Sequence, residues 1–158
     1  MAKSDKVILD FSEVRPFEPL DPSELYQCRV RALDVSTAQS GQPKSHCELE
    51  ILTPEDVLVE GWEQDDEAAG GMKSVGMTER TTRAAGRILF REFSLQPQAL
   101  PFLYQFLKAV DPDVELTEAW EYKPEEYIGL ECSAKIHNEA FQEQIRARID
   151  RIYPAARS

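Results

Sequence analysis

The chain contains few of the residues that build disulfides, metal centres or catalytic sites. It has three cysteines and two histidines among 158 residues. Cys28, Cys47 and Cys132 form no CxxC pair, and His46 and His137 fall on separate predicted hairpins, so the spacing of a zinc site is absent. Dinucleotide-binding glycine motifs, P-loops and nucleophile elbows are absent as well. We therefore expect three buried thiols, no metal or other cofactor, and no catalytic activity.

Long hydrophobic runs are also missing, and we expect no leader peptide. The opening residues, MAKSDKVILDF, contain lysines but lack the apolar core of a secretory signal. No apolar run approaches the length that crosses a bilayer. The composition, 42% hydrophobic and 30% charged, is typical of a globular protein. Because the cysteine count is odd and no leader is visible, we expect a single cytoplasmic domain in a reducing compartment, with no membrane partner.

Positive charge is scarce and is sorted along the chain. Lysine and arginine number 18 against 29 aspartate and glutamate residues, which gives a formal net charge of -11. A field of this sign repels nucleic acid, so nucleic-acid binding requires a local basic surface. Residues 73–95, KSVGMTERTTRAAGRILFREFSL, contain five basic residues. Residues 55–68, EDVLVEGWEQDDEA, carry seven carboxylates and no lysine or arginine.

Hydrophobic periodicity predicts a mainly β protein. Polar and apolar residues alternate in YQCRVRALDV and in KSHCELEIL, as in two half-buried strands joined by a Ser/Gly turn. GRILFREFSL is a third predicted strand, and YIGLECSAKI and EQIRARIDRIY, joined by HNEAF, are the fourth and fifth. Between the third and fourth strands, Leu103, Phe106, Leu107 and Val110 have the spacing of a core-facing helical stripe.

The order of these elements predicts an OB-fold. This fold is a five-stranded Greek-key barrel that binds oligonucleotides or oligosaccharides, and the helix is expected between strands three and four. The predicted domain covers residues 23–154 and contains a long excursion, 54–86, between its second and third strands. Three prolines make residues 1–22 an extended N-terminal arm, and residues 155–158 form a tail.

Three segments of the chain resemble a known family. They are YQCRVRALDVSTAQSGQP, GRILFREFSLQPQALPFLYQFLKAV and YIGLECSAKIHNEAFQEQIRARIDRIYP. An opening strand, a Ser-Gly hairpin, a strand that leads into a helix and a last strand that ends in aromatic-Pro resemble small single-stranded DNA-binding proteins of phage and prophage replication or recombination modules. The resemblance covers residues 25–154 apart from the excursion. It implies an OB-fold protein that coats single strands in the bacterial host cytoplasm, with homo-oligomers and replication or recombination proteins as further expected partners.

Binding of single strands without sequence preference requires cations that follow the phosphates and aromatic faces that stack on bases. Arginines on the outward faces of the first, third and fifth strands would line a basic groove, and the 72–86 ribbon would close over the bound DNA strand. Phe93, with Phe90 beside it, would stack on bases. Pairing of these arginines with glutamates across strands is the alternative. The predicted nucleic-acid-binding residues are Arg29, Arg31, Lys73, Arg80, Arg83, Arg87, Arg91, Phe93, Arg146 and Arg148.

The acidic block around Trp62 leaves two interpretations open. It is either a partner-recruiting segment anchored by Trp62 or a solvated loop. The corresponding alternative function is an acidic protein-interaction module, a DNA mimic or adaptor that binds a basic protein through Trp62. Such a module would place carboxylates, rather than arginines, over the open face of the barrel. In TEAWEYKPEEY, Trp120 and Tyr122 are expected to pack against the barrel.

Overall fold

The computed structural model describes residues 6–10 and 18–156. Most of the predicted arm, at 1–5 and 11–17, and the end of the predicted tail, at 157–158, lie outside the described residues. Within the described ranges, the secondary structure comprises seven strands and one α-helix: β1 Tyr26–Thr37, β2 Pro43–Thr53, β3 Asp56–Gln64, β4 Met72–Arg83, β5 Ile88–Ser94, α1 Leu100–Val110, β6 Glu131–Phe141 and β7 Gln144–Pro154. No helix in these ranges is long and apolar enough to span a membrane.

Five strands form one antiparallel sheet in the order β5-β2-β1-β6-β7. The prediction of a mainly β protein with five antiparallel strands is therefore confirmed. The predicted barrel needs correction, because the sheet does not close: among the described residues no backbone ladder joins the edge strands β5 and β7. The two edges do approach each other, and Nη1 of Arg91 donates a hydrogen bond across the gap to the carbonyl oxygen of Ile149 at 3.3 Å. The Arg91 side chain therefore bridges the two edge strands at one point, where no backbone ladder joins them.

The core lies between the concave face of this sheet and α1. Alternate residues of β1 and β2 face inward, and the helical stripe predicted from the sequence is buried in the same core, where α1 packs mainly on β7, β5 and β6. The buried residues of these elements include Tyr26, Cys28, Val30, Cys47, Leu49, Ile51, Leu103, Phe106, Leu107 and Val110. Register shifts in β1 mark irregularities that increase the twist of the sheet. The strong curl explains how one sheet encloses a core from several sides.

The three cysteines are free and buried, as predicted. Cys28 and Cys132 face each other on β1 and β6, and Cys47 lies on β2. Burial raises the pKa of each thiol, and that of Cys132 reaches about 12. The thiols are therefore protonated and act as small apolar core residues.

The segment predicted as an excursion contains a second sheet, formed by β3 and β4. Val57 and Val59 are its buried side chains. The tip of this hairpin contacts the β6–β7 turn, where the amide of Glu143 donates to the carbonyl oxygen of Gly70 at 2.9 Å. Gly70 has a φ of +73°, and a Cβ at this position would lie 2.1 Å from the carbonyl oxygen of Ala140. Glycine at 70 therefore permits the close approach of hairpin and turn.

The end of the predicted arm, residues 18–22, belongs to the packed structure. Leu20 is completely buried, and the hydroxyl of Tyr26 donates to the carbonyl oxygen of Asp21 at 2.7 Å. The side-chain amide of Asn138 donates to the carbonyl oxygen of Leu20 at 2.7 Å, and the amide of Glu60 donates to that of Pro19 at 3.1 Å. This short segment therefore links the β3–β4 hairpin to the main sheet.

Candidate nucleic-acid interface

A groove of about 580 Å³ follows the gap between β5 and β7. We call it the seam groove, and its lining residues are His46, Phe90, Arg91, Glu92, His137, Glu139, Arg148 and Ile149. Strands β2 and β5 provide one wall, and β6 and β7 provide the other. The groove thus exists because the sheet curls without closing.

Cations and carboxylates alternate on the walls of the seam groove. His137 forms hydrogen bonds with Glu139, at 3.0 Å, and with Asp150. These bonds, that to Glu139 first, raise the pKa of His137 above its ordinary value. Arg148 completes the cluster, with Nε 3.1 Å from Glu139. On the opposite wall, Nε2 of His46 lies 3.1 Å from a carboxylate oxygen of Glu48.

Three arginines beside the groove lie over aromatic rings. The guanidinium carbon of Arg91 is 5.8 Å from the ring centre of Phe102, that of Arg146 is 5.5 Å from Phe141, and that of Arg151 is 5.4 Å from Tyr153. All three rings are exposed. Within the described chain, none of these arginines forms an ion pair with a carboxylate, so their charges are available to a ligand. We call this surface the arginine–aromatic edge; its residues are Arg91, Phe102, Phe141, Arg146, Arg151 and Tyr153.

Two smaller depressions extend this surface along β7. One, of about 230 Å³, contains Phe141 and Arg146 and shares Glu139 and Arg148 with the seam groove. The other, of about 260 Å³, lies between α1 and β7 and contains Arg151 and Tyr153. From Arg146 to Tyr153, seven steps of about 3.3 Å give a length of about 23 Å. The groove and the first depression are therefore continuous, and the second depression lies further along the same edge strand; we call the three together the track.

The structure brings together three of the predicted nucleic-acid-binding residues, Arg91, Arg146 and Arg148. The arginines predicted on β1 do not line the seam groove. Arg29 forms an ion pair with Glu50 at 3.2 Å, as in the alternative of pairing across strands. Arg31 is exposed on β1.

The basic ribbon of residues 72–86 is mostly the paired strand β4. Nζ of Lys73 lies 3.4 Å from Glu63 and 3.7 Å from Asp65, both on the acidic part of the same hairpin. Nη1 of Arg80 lies 2.7 Å from Glu18. Arg83, at the end of β4, is exposed. The ribbon that is most basic in the sequence therefore has much of its charge neutralised by nearby carboxylates.

Two predicted contact residues on β5 and its preceding turn are withdrawn from the surface. Phe93 is only 2% exposed and its ring centre lies 5.2 Å from that of Phe106, so the assignment of Phe93 to base stacking needs correction. Arg87 is half-buried, where it donates to the carbonyl oxygen of Glu18 at 2.6 Å, and desolvation lowers its pKa. Phe90, on the other face of β5, is 57% exposed and lines the seam groove.

Arg91 and Phe93 lie on the same face of β5 but differ in exposure, because β5 is an edge strand. Leu89 and Phe93 face the core, while Arg91, on the same face as both, extends past the edge of the sheet. A long arginine side chain keeps its guanidinium group at the surface even when its stem packs against apolar residues. An arginine and a phenylalanine on one face of an edge strand therefore need not share an environment.

Trp62 is half-buried on β3. Its indole Nε1 donates to the carboxylate of Glu60 at 2.6 Å, and that carboxylate also accepts from the side chain of Asn138 at 3.1 Å. Trp62 is thus held within the connection between the hairpin and the main sheet. Its role as a partner-binding residue stays a prediction.

The sequence does not predict four residues of the arginine–aromatic edge as binding residues, although each has a weak signal. They are Phe102, Phe141, Arg151 and Tyr153. Phe102 falls outside the apolar stripe of α1, which is the pattern of an exposed aromatic residue. Phe141 and Tyr153 lie near strand ends, and Arg151 follows an irregularity in the β6–β7 register. Periodicity alone does not show that these positions adjoin β5.

Comparison with models of known protein families and with curated proteins finds no match for the chain. Among the residues that the structure describes, no group of three or more His, Cys, Asp or Glu side chains has the arrangement of a metal site.

Proposed function

We propose that the protein is a non-catalytic, sequence-independent single-stranded DNA-binding protein of phage-type replication or recombination. The strand lies along the arginine–aromatic edge and the seam groove. One observation carries the proposal: three arginines, without ion pairs in the described chain, lie over exposed aromatic rings beside one edge strand. Sequence-independent single-strand binding uses this combination of cations and stacking platforms.

The arginines and the aromatic rings of this surface bind different parts of the DNA strand. Arg91, Arg146 and Arg151 contact phosphates, because cations that follow the backbone supply most of the sequence-independent affinity. Exposed rings, Phe90 in the groove and Phe141 and Tyr153 near the ends of the track, stack on bases at about 1–3 kcal/mol for each base. The track of about 23 Å suits the lower end of the range of about 4–16 nucleotides that an OB-fold covers.

The strand arrangement supports an OB-fold as part of this proposal. That fold is a partly open Greek-key barrel, which binds ligands on the face of its second and third strands and with the loop between its fourth and fifth. If β5 is counted as the third strand, β2 and β5 provide His46 and Phe90 to the seam groove. The β6–β7 hairpin, equivalent to strands four and five, provides Phe141 and Arg146.

Carboxylates next to the track favour single strands over duplex. Glu92 and Glu139 line the same groove as Arg91 and Arg148. A duplex presents a second row of phosphates, which would approach these carboxylates and the negative field of the whole chain. The acidic residues therefore also keep single-strand binding reversible.

The alternative function is an acidic adaptor for a basic protein. It requires carboxylates over the open side of the sheet, which is the gap between the edge strands β5 and β7. Strand β7, which borders that side, carries three arginines and one aspartate. The charge of this strand thus favours nucleic acid over a basic protein at the open side.

Paired charge reversals test the proposal. Arg146→Glu with Arg151→Glu should weaken the binding of a fluorescent oligo-dT by about tenfold or more, because two phosphate contacts become repulsive. The matched control, Arg31→Glu with Arg83→Glu, makes the same charge change at two exposed arginines off the track and should retain affinity to within about twofold. Fluorescence anisotropy gives both affinities, and circular dichroism checks folding. Equal losses in the two variants would contradict the assignment of the track.

A further inference from the structure

We propose that a second surface, an apolar pocket beside α1, docks a basic segment of a partner protein through an aliphatic or aromatic anchor residue. The pocket has a volume of about 320 Å³, and its lining includes Leu95, Leu100, Leu103, Tyr104, Trp120 and Tyr122. None of its lining residues belongs to the seam groove. Tyr104 also lines the depression that contains Arg151 and Tyr153, so the pocket adjoins one end of the track. The inference does not rest on the proposed strand binding.

The walls of the α1 pocket are held by specific contacts. Trp120 and Tyr122 stack with their ring centres 5.8 Å apart, and the Tyr122 hydroxyl lies 2.8 Å from the hydroxyl of Ser45. Nζ of Lys108, on α1, donates to the carbonyl oxygen of Val114 at 2.7 Å and ties the following segment to the helix. A preformed pocket requires little ordering when a ligand binds, which favours affinity.

The apolar lining of this pocket is partly open to solvent. Leu100 and Tyr104, at successive turns of α1, are exposed, while Leu103 and Leu107 form the buried floor. Pockets of this size that are lined by aliphatic and aromatic side chains accept single anchor residues such as Leu or Phe. The shape and lining thus define an anchor site.

The segment that borders the pocket, residues 111–126, is strongly acidic, and we call it the rim. It contributes Leu116, Thr117, Glu118, Trp120 and Tyr122 to the lining, so Glu118 is its carboxylate that lines the pocket directly. Residues 111–126 contain seven carboxylates and one lysine, so their net charge is 1 - 7 = -6. The carboxylates are Asp111, Asp113, Glu115, Glu118, Glu121, Glu125 and Glu126. In the part of the chain that the structure describes, none of them forms an ion pair. An apolar centre with an unneutralised negative rim is complementary to an apolar anchor with cationic flanks.

Other occupants fit this surface less well. Phosphates would face the carboxylates of the rim, which disfavours nucleic acid. A second copy of the chain carries a net charge of -11 and the same acidic rim, so long-range repulsion opposes self-association here. A basic peptide satisfies both the charge and the lining.

NMR with a synthetic peptide tests the proposal on the intact chain. The probe is a short peptide rich in lysine and arginine with a central Leu-Phe pair, and the control peptide has serines in place of that pair. The chain has two tryptophans and therefore two indole N–H signals, which a Trp62→Phe variant assigns. We expect the probe to shift the Trp120 signal and to leave that of Trp62, which is held by Glu60, unchanged.

Charge reversal at the rim gives the affinity readout. Glu118→Lys with Glu121→Lys, at two exposed residues, should weaken peptide binding by about tenfold or more at low salt. The matched control, Glu67→Lys with Glu79→Lys on the β3–β4 hairpin, should leave it within about twofold. Oligo-dT binding to both variants reports strand binding separately. The proposal is overturned by equal binding of the serine peptide, by an unmoved Trp120 signal, by a Trp120 signal that shifts with protein concentration alone, or by oligo-dT binding at this pocket.

Discussion

His137 connects the charged residues on one wall of the seam groove. Its two ring nitrogens contact Glu139 and Asp150, and Glu139 also contacts Arg148. Both carboxylates stabilise the imidazolium form of His137, so protonation of this residue and folding of the chain favour each other. This residue makes the local charge of the groove dependent on pH.

The pKa of His137 should therefore lie above the ordinary value of about 6.5. Because the folded-state pKa is raised, the stabilising effect is fully present below the unfolded-state pKa and is lost as the pH rises through the folded-state pKa. An NMR titration of the imidazole signals measures the pKa, and Glu139→Gln should lower it. A His137 pKa below the ordinary value in the unmodified chain would contradict this account.

Substitutions of Phe90 and Phe93, which lie on opposite faces of β5, should affect different properties: DNA binding for Phe90 and folding stability for Phe93. Phe93→Ala removes a buried ring and should lower the free energy of unfolding by about 3–5 kcal/mol. Phe90→Ala removes an exposed ring and should change it by less than about 1 kcal/mol. Only Phe90→Ala is expected to weaken oligo-dT binding in the folded protein. Urea unfolding and anisotropy measure the two quantities, and a larger loss of stability for Phe90→Ala would refute the assigned faces of β5.

At the scale of elements, the predictable parts are those with a sustained period. The alternation in β1 and β2 and the stripe of α1 have one buried side and one polar side, so their orientation follows from the sequence. In β5, Leu89, Arg91 and Phe93 share a face, and the pattern does not show which side is buried. Because β5 is at the sheet edge, Phe93 can be buried while the guanidinium group of Arg91, on the same face, reaches the surface.

The β3–β4 hairpin lacks such a period. Most residues of β4 are exposed, so hydrophobic alternation is absent although the backbone is paired. The attachment of this hairpin depends on contacts distant in sequence, such as that between Gly70 and the β6–β7 turn. One sequence does not show which distant residues form such contacts.

The close packing of Gly70 against Ala140 should make the stability of the protein sensitive to any side chain at position 70. Gly70→Ala would introduce both a positive φ for alanine and a clash with Ala140, so we expect the free energy of unfolding to fall by more than about 2 kcal/mol. Gly41→Ala is the matched control, because Gly41 has a φ of +86° but no atom within 4 Å of an added Cβ. It should lower the free energy of unfolding by only about 1–2 kcal/mol. Similar losses for both variants in urea would show that the hairpin does not pack closely on the turn.

At the scale of the whole molecule, a net charge of -11 coexists with a basic edge. The sequence indicates that a local basic surface is necessary, and it predicts this surface on the first, third and fifth strands together with the ribbon at 72–86. In the structure, Lys73 and Arg80 contact carboxylates, while Arg146 and Arg151 contact aromatic rings. Whether a cation is paired with a carboxylate or remains available to a ligand depends on its spatial neighbours, which the order of residues does not give.

The salt dependence of oligo-dT binding, measured by fluorescence anisotropy with a matched duplex as competitor, tests the central claim most directly. Three phosphate contacts, at about -0.7 for each on single strands, predict a slope of about -2 for the logarithm of affinity against that of salt concentration. We expect tight binding at low salt, this slope, and no displacement by duplex. Absence of binding at low salt, or equal competition by duplex, would contradict the proposal that the arginine–aromatic edge binds single strands.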